Sequence, residues 1–322
     1  MQLGDIKDLM ADDLKAVDDE IRRQLHSDVV LIDQVSHYII QSGGKRLRPM
    51  LVVVAAQACG YVGKRHVEAA AIVEFIHTAT LLHDDVVDAS ALRRGQETAN
   101  EVWGNQASVL VGDFLYSRAF QMMVEIGEMR VMEILADATN TIAEGEVLQL
   151  INTHEPETTE QQYLQVIHRK TAKLFEAGLR IAAVLSGQPA DIESQLAQYG
   201  IHLGTAFQLI DDVLDYSASA ESLGKNIGDD LAEGKPTLPL IHAMAKGNAA
   251  QTKLIHDAIE HGGLERIDDV IDAIQSTGAL TYTEDFARRE SEAALAALTR
   301  IPDSRYKEAL AALARLSVDR TY

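Results

Sequence analysis

The chain has 322 residues, of which 47% are apolar and 24% charged, so it has enough apolar material for a large core. Its formal net charge of −20 argues against a nucleic-acid partner, because proteins that bind nucleic acids carry a basic surface. The single cysteine, Cys59, excludes an intrachain disulfide and fits a reducing compartment. The acidic first residues lack the basic and apolar runs of a signal peptide, and no stretch approaches about 18 uninterrupted apolar residues. We therefore expect a soluble, cytoplasmic protein without a transmembrane segment.

Helical periodicity runs through almost the whole sequence, because apolar residues recur at every third or fourth position. The short β-branched run at residues 52–54 lies inside such a pattern and has no hairpin turn residues around it. No glycine-rich dinucleotide motif follows a strand, and no linker or composition shift divides the chain. The sequence thus predicts an all-α fold in a single domain, residues 1–322. The clearest predicted helices cover residues 65–82, 191–214, 249–261, 265–277, 281–299 and 305–318.

Two acidic motifs of the same pattern occur, DDVVD at residues 84–88 and DDVLD at residues 211–215. Each follows an apolar helical run, and its first and last aspartates share one helix face. Such carboxylates repel one another unless a cation lies between them, and oxygen ligands of this kind suit Mg²⁺, which also binds substrate phosphates. One such motif is common on a solvated helix face. Two of them, each at the polar end of an apolar helix, favour a metal site.

Basic residues that could bind phosphate accompany both motifs. The segment GGKRLRP at residues 43–49 places three cations at a glycine-led helix start, a setting that suits phosphate. Lys45 and Arg48 are three apart and share a face, whereas Arg46 points to the side. A surface lysine is usually only solvated, but cations gathered beside paired aspartates in an acidic chain indicate anion binding. The further candidates are Arg93 and Arg94 after the first motif, Lys170 and Thr171 within a helix, and Lys225 and Lys235 around the loop after the second motif.

His77 lies seven residues before Asp84, two helical turns along the same face. A lone histidine on an apolar helix is usually a core residue. Its alignment with the aspartates also permits a phosphate contact, and both interpretations stay open at this point.

Seven segments, spread in order over most of the chain, together carry a resemblance to one family. They are GGKRLRP (43–49), EFIHTATLLHDDVVDASALRRG (74–95), GD (112–113), GEVLQL (145–150), KTAKLFE (170–176), GTAFQLIDDVLDY (204–216) and GKNIGDDLAEGKPTLPL (224–240). In these segments the chain resembles the trans-isoprenyl diphosphate synthases, and within them the long-chain octaprenyl diphosphate synthases. The resemblance implies a helical bundle around a deep central cavity, the type I isoprenoid synthase fold, with the two acidic motifs facing each other across its mouth.

The resemblance also implies a reaction. Such an enzyme elongates an allylic diphosphate, most naturally farnesyl diphosphate, by successive head-to-tail condensation with isopentenyl diphosphate, and it depends on Mg²⁺. It acts as a homodimer and supplies the side chains of quinones such as ubiquinone. Peripheral membrane contact would help to release so apolar a product, although the sequence has no basic amphipathic helix for it.

Individual residues receive roles by the same resemblance. Mg²⁺ would be bound by Asp84, Asp85, Asp88 and Asp211, with Asp212 and Asp215 close by. The diphosphate of isopentenyl diphosphate would be held by Lys45, Arg48, His77 and Arg94. The allylic diphosphate would be held by Arg93, Lys170, Thr171, Gln208, Lys225 and Lys235, of which Arg93 and Lys170 are also candidate catalytic residues.

Product length depends on the residues before the first acidic motif. Ala79 and Thr80, five and four residues before Asp84, are small, and the motif has no insertion, so we expect a long product. Met122 and Met123 are candidates for the cavity floor, because methionine is flexible and apolar, but ordinary core packing explains them equally well. Eight isoprene units are favoured by the resemblance, and seven, nine or ten stay open.

Two other functions are weighed against this one. A class I terpene cyclase or a head-to-head squalene-type synthase also ionises allylic diphosphates, but it needs no second diphosphate site, for which the cations assigned to isopentenyl diphosphate argue. A non-catalytic subunit with this fold would have lost part of the chemistry, whereas both acidic motifs are intact here. No Ser-His-Asp or Cys-His arrangement suggests a protein nucleophile.

Overall fold

The computed structural model describes residues 1–41, 44, 46–93, 95–217, 228–262 and 264–319. These residues are mostly helical, as predicted. The helices are α1 (Leu3–Leu9), α2 (Ala11–Leu25), α3 (Val30–Gln41), α4 (Leu47–Ala58), α5 (Arg65–Val87), α6 (Ala99–Trp103), α7 (Asn105–Ile126), α8 (Met129–Asn152), α9 (Glu160–Ile167), α10 (Lys173–Leu185), α11 (Ala190–Ser217), α12 (Asp229–Ala232), α13 (Leu238–Lys246), α14 (Ala249–His261), α15 (Ile267–Ser276), α16 (Ala279–Ala297) and α17 (Arg305–Val318).

The predicted helices agree with these bounds to within a few residues. Residues 249–261 and 305–318 coincide with α14 and α17, and residues 52–54 lie inside α4. The helix predicted over residues 65–82 continues to Val87 and so includes most of the first acidic motif. None of the helices in the described ranges is both long and apolar enough to cross a membrane.

Two short elements were not predicted. A two-residue strand, Leu92–Arg93 (β1), pairs antiparallel with Gln96–Glu97 (β2) directly after the first acidic motif. A π-helix at His168–Ala172 joins α9 to α10, so Lys170 and Thr171 lie in a widened turn rather than in a regular α-helix. Turns of this kind occur often at functional sites.

The contacts between its residues divide the chain into two compact units. Unit 1 contains Met1–Thr139, Leu174–Gly200 and Ala297–Leu313, and unit 2 contains Asn140–Lys173, Ile201–Ala296 and Ala314–Tyr322. The single domain expected for residues 1–322 stays a prediction.

Unit 1 has α5 at the centre of its core. This helix packs against α2, α4 and α7, and every residue from Ala69 to Ile76 is buried. A helix that is apolar all round is typical of a protein interior. The polar residues of the first acidic motif therefore begin where α5 leaves the core.

In unit 2, the part of α11 from Ile201 onward packs against α9. Tyr163 and Ile167 of α9 belong to the same buried cluster as Leu209 and Leu214 of α11. This packing sets the second acidic motif of α11 beside the side of α9 that carries Tyr163.

Candidate active site

The first acidic motif ends helix α5. The Asp88 backbone N–H donates to the Asp84 carbonyl at 2.8 Å, so the chain keeps a helical turn to the end of the motif. Asp84 and Asp88 are partly exposed, whereas Asp85 has an exposed fraction of 0%. The expected face shared by Asp84 and Asp88 is thus compatible with the structure, and the middle carboxylate points into the protein.

Arg93 of β1 binds the buried carboxylate. Its Nε and Nη2 lie 2.8 and 2.6 Å from Asp85 Oδ1. Burial raises the pKa of Asp85, and the Arg93 guanidinium opposes that rise. The short β1–β2 pair turns the chain back to bring Arg93 here. Arg93, a candidate for the allylic diphosphate, is therefore held at the acidic cluster in this structure.

The first cluster has the donor set that a hard cation requires. Asp85 Oδ2 is buried and has no hydrogen-bond partner among the residues that the structure describes. A buried oxygen without a partner is rare in proteins and calls for an explanation, such as an ion. Together with the partly exposed carboxylates of Asp84 and Asp88, this oxygen fits a divalent metal ion such as Mg²⁺.

Arg48 and His77 form a basic pair in unit 1. Arg48 Nη1 lies 3.1 Å from His77 Nε2, and the Arg48 guanidinium lies 4.5 Å from the centre of the Phe175 ring. His77 is partly exposed, which fits a phosphate contact better than a core position. The other two candidates for the isopentenyl diphosphate site, Lys45 and Arg94, lie outside the described residues.

Arg46 is used differently from its neighbour Arg48. It forms an ion pair with the buried Glu74, and its Nη2 donates to the Ile40 carbonyl at 3.1 Å. Its φ of 49° lies in the left-handed region, immediately before α4 begins at Leu47. These contacts agree with the expectation that Arg46 points to the side.

The second acidic motif lies near the end of α11. Asp211 is partly exposed, whereas Asp212 and Asp215 are buried. Tyr163 donates its hydroxyl hydrogen to Asp212 Oδ2, and Gln208 Nε2 donates to Asp212 Oδ1 at 2.9 Å. Burial raises the pKa of Asp212 far above its usual range, with a further contribution from the charge of Asp230.

Asp215 binds the segment that follows the second motif. The Asp230 backbone N–H donates to Asp215 Oδ2 at 3.3 Å, and the Gly228 N–H donates to the Asp215 carbonyl at 3.0 Å. Asp211 and Asp215 are spaced to share one helix face, as predicted, but they differ in exposure. Lys235 follows in the same segment, and its Nζ lies 2.5 Å from Glu233 Oε2. Lys225 lies outside the described residues.

The π-helix carries the remaining candidates for the allylic diphosphate. Lys170 Nζ lies 2.5 Å from Glu146 of α8. Thr171 Oγ1 donates to Gln208 Oε1 at 3.1 Å, and Gln208 in turn binds Asp212. Thr171, Gln208 and Asp212 are thus connected through hydrogen bonds within unit 2.

The candidates for control of product length are mostly buried. Ala79, Met122 and Met123 are buried, and Thr80 donates its hydroxyl hydrogen to the His77 carbonyl at 2.7 Å. Core packing accounts for the burial of the methionines, so their role as a cavity floor stays a prediction, as does the role of Ala79 and Thr80.

Tyr163 and Glu146 were not recognised from the sequence as part of the site. Tyr163 occupies an ordinary apolar position of an amphipathic helix, and nothing in its spacing indicates that it binds Asp212. Glu146 belongs to GEVLQL, a segment that carried the family resemblance without receiving a role. The presence of Glu146 in that segment was the feature of the sequence that could have indicated a role for it.

The GD segment at residues 112–113 also gains a structural explanation. A methyl group added at Gly112 would come within 2.3 Å of His83 Nε2, so a larger residue would displace this ring. Asp113 Oδ1 lies 3.4 Å from the same nitrogen. Both residues therefore help to place His83, the neighbour of Asp84.

Comparisons with known proteins agree with this description. The family model of polyprenyl synthetase matches residues 29–276. The octaprenyl diphosphate synthase of Escherichia coli (strain K12) is 53% identical over 321 residues, which cover 99% of each chain. The geranyl-diphosphate-specific all-trans-nonaprenyl-diphosphate synthase of Rhodobacter capsulatus is 49% identical over 98% of this chain and 97% of that one.

A solved structure is similar over the whole chain. It is a polyprenyl synthase from Caulobacter crescentus CB15, complexed with calcium and isoprenyl diphosphate. It has a TM-score of 0.96 and 44% identity and covers 100% of this chain and 98% of its own.

The chain therefore belongs to the polyprenyl synthetase family. The predicted family, the all-α type I isoprenoid fold and the predicted class of enzyme, a long-chain trans-prenyltransferase, are confirmed.

Proposed function

We propose that this enzyme extends farnesyl diphosphate with isopentenyl diphosphate to the C40 product, octaprenyl diphosphate. Similarity to octaprenyl diphosphate synthases over essentially the full length supports this product. One structural observation carries the reaction: each acidic cluster occurs in a unit that also holds a group of diphosphate-binding candidates. Unit 1 has Arg48 and His77, and unit 2 has Lys170, Thr171 and Gln208.

The metal in this proposal is Mg²⁺. Asp84, Asp85, Asp88 and Asp211 would bind it, Asp85 through its buried Oδ2, and the buried Asp212 and Asp215 would act in support. When bound, Mg²⁺ offsets the charge that develops on the departing diphosphate. The Caulobacter crescentus protein is complexed with calcium and isoprenyl diphosphate, which supports a divalent ion in this enzyme.

The basic residues bind the two substrates. Arg48 and His77, with Lys45 and Arg94, would hold the diphosphate of isopentenyl diphosphate. The guanidinium fork of Arg48 suits a phosphate because it can donate two parallel hydrogen bonds. Its guanidinium also makes a cation–π contact with the Phe175 ring, 4.5 Å from the ring centre, which restrains it. The allylic diphosphate would be held by Arg93, Lys170, Thr171, Gln208, Lys225 and Lys235.

We also propose a homodimer that associates through α7. This helix exposes Val109, Leu110, Phe120 and Val124. At 3.6 residues per turn these four side chains fall within about 100° of the helix circumference. Exposed apolar side chains on one side of a helix indicate an interaction site, and here the exposed Asp113 and Ser117 lie between them. Leu110→Glu should therefore convert the dimer to a monomer, as measured by light scattering after size-exclusion chromatography.

The cellular setting is proposed on similarity alone. The enzyme would work in the cytoplasm, supply side chains of quinones such as ubiquinone and release its product by peripheral contact with a membrane. Its partners would be the two diphosphate substrates and a second copy of itself, and no nucleic acid.

The test of the proposed reaction uses the purified protein with Mg²⁺, farnesyl diphosphate and labelled isopentenyl diphosphate. We expect a dominant C40 alcohol after dephosphorylation, and no product when EDTA is present. A ladder that ends at another length would keep the reaction and reject the product. Release of diphosphate without elongation would reject the reaction and indicate a cyclase.

The product-length residues have their own test in the same assay. Ala79→Phe should end the ladder at a shorter product, because the larger ring would obstruct the growing chain. Met123→Ala should extend the ladder. If both variants keep the wild-type ladder, neither residue contacts the product.

A further inference from the structure

The GEVLQL segment of α8 packs against the π-helix at its glycine. A methyl group added at Gly145 would lie 2.7 Å from the Lys170 backbone nitrogen and 3.0 Å from the Arg169 carbonyl carbon. Because the atoms in the way belong to backbone, any larger side chain would displace the π-helix. Gly145 therefore lets the two helices approach closely at the turn that carries Lys170.

An acidic residue on each side of Gly145 binds a basic residue of that turn. Glu144 Oε2 lies 2.7 Å from Arg169 Nη1, and Glu146 Oε2 lies 2.5 Å from Lys170 Nζ. The side chains of the first pair are 55% and 45% exposed, whereas those of the second are 28% and 18% exposed. Water and salt screen the first pair strongly, so the second pair constrains its lysine more.

The lysine needs such a constraint to bind an anion in a fixed place. Its ammonium is a point charge at the end of a flexible four-carbon stem, unlike the planar fork of an arginine. An ammonium has three donors, so it can bind a carboxylate and a phosphate at the same time. The neighbouring Thr171 is already fixed through Gln208.

We propose that Glu146 is a positioning residue that holds the Lys170 ammonium where it binds the allylic diphosphate. This inference rests on the proposed role of Lys170 in binding that substrate. It gives the GEVLQL segment a function beyond helix packing: its glycine admits the π-helix, and its second residue orients the lysine.

The test compares Glu146→Gln with the matched control Glu144→Gln. Each variant removes one carboxylate charge from the same contact between α8 and the π-helix. The dissociation constant of farnesyl diphosphate is measured by calorimetry with Mg²⁺ and without isopentenyl diphosphate, and the KM of isopentenyl diphosphate is measured separately. We expect Glu146→Gln to weaken farnesyl diphosphate binding about tenfold, in line with the loss of one charge-assisted contact. Its KM for isopentenyl diphosphate and its Tm should change little.

Glu144→Gln should keep the dissociation constant of farnesyl diphosphate, the KM of isopentenyl diphosphate and the Tm close to their wild-type values. Glu146→Asp, which keeps the charge, should recover part of the lost affinity, and Glu146→Gln should add little to Lys170→Gln in the double variant. If the contact were purely structural, Glu146→Gln would instead lower the Tm, and it would weaken farnesyl diphosphate binding no more than it raises the KM of isopentenyl diphosphate. That result would overturn the proposal. Tighter farnesyl diphosphate binding by Glu146→Gln would also overturn it, because Glu146 would then compete with the substrate.

Lys170→Gln tests the role of Lys170 separately from that of Glu146. If it leaves farnesyl diphosphate binding unchanged, the role of Lys170 in the proposed function is wrong and the role of Glu146 is rejected with it. If Lys170→Gln weakens binding but Glu146→Gln does not, the role of Lys170 stands and only the positioning role of Glu146 is rejected.

Discussion

Arg46 should contribute to stability rather than to substrate binding, although it lies in the same basic motif as Arg48. Arg46→Met removes the ion pair with Glu74 and the hydrogen bond to the Ile40 carbonyl. The Glu74 side chain is only 10% exposed, so its carboxylate would lose a charged partner in a setting of low polarity. Breaking a buried ion pair from one side costs about 3–5 kcal/mol. Because Arg46 itself is 24% exposed, we expect the lower end, about 3 kcal/mol.

The assay for this prediction is equilibrium unfolding in urea, monitored by the far-UV circular dichroism signal of the helices. The double variant with Arg46→Met and Glu74→Met should recover most of the lost free energy of unfolding, because replacing both partners of a buried pair by apolar residues is often close to neutral. A loss below about 1 kcal/mol in Arg46→Met, with no recovery in the double variant, would show that this pair contributes no more than an exposed ion pair does.

Arg48→Met is the matched control in the same motif. Arg48 contacts His77 and stacks on Phe175, and it belongs to the proposed isopentenyl diphosphate site. We expect this variant to raise the KM of isopentenyl diphosphate about tenfold or more, the effect of losing a charge-assisted contact. Arg46→Met should change that KM less than Arg48→Met does. The opposite order would assign the phosphate contact to Arg46.

Three further predictions concern other parts of the chain. Tyr199→Phe should lower the free energy of unfolding by about 1–2 kcal/mol in urea, because it leaves the buried Leu310 carbonyl without the hydroxyl that binds it at 2.7 Å. Burial raises the pKa of the Cys59 thiol from 9.0 to about 11, so at pH 8 iodoacetamide should label the folded protein far more slowly than the urea-unfolded protein. Labelling at equal rates would contradict the burial. The double variant with Asp84→Asn and Asp88→Asn should lose turnover about a hundredfold or more in the labelled-substrate assay, yet keep its Tm, since both side chains are partly exposed. Full turnover would refute the catalytic role of the motif.

The helices could be predicted from the sequence because amphipathic periodicity records which side of each helix is buried. α14 and α17 have the predicted bounds, and α16 is shifted by about a turn or less. The π-helix and the β1–β2 pair could not be predicted in this way. Each lies at a contact that periodicity does not record: the close approach at Gly145 for the first, and the ion pair of Arg93 with Asp85 for the second.

The candidate site could be predicted as a set of residues but not as a set of contacts. Spacing along a helix shows that Asp84 and Asp88 share a face, but it cannot show that Asp85 is fully buried. Nor does spacing identify a partner from another helix, and Tyr163 and Glu146 were missed for this reason.

The two acidic motifs have nearly the same letters but different electrostatic surroundings. In the first, the buried Asp85 faces a guanidinium, so the charges of this inner pair cancel. In the second, the buried Asp212 is bound by two neutral donors, Tyr163 and Gln208, which stabilise its charge without cancelling it. Burial raises the pKa of both carboxyls, and for Asp212 the nearby charge of Asp230 adds to the effect. Among the described residues, the Asp212 side chain is therefore bound by no cation, unlike that of Asp85. An acidic protein can nevertheless bind two anionic substrates. Nearby lysines, arginines and bound metal ions, rather than the net charge of the chain, determine the electrostatic potential at each site.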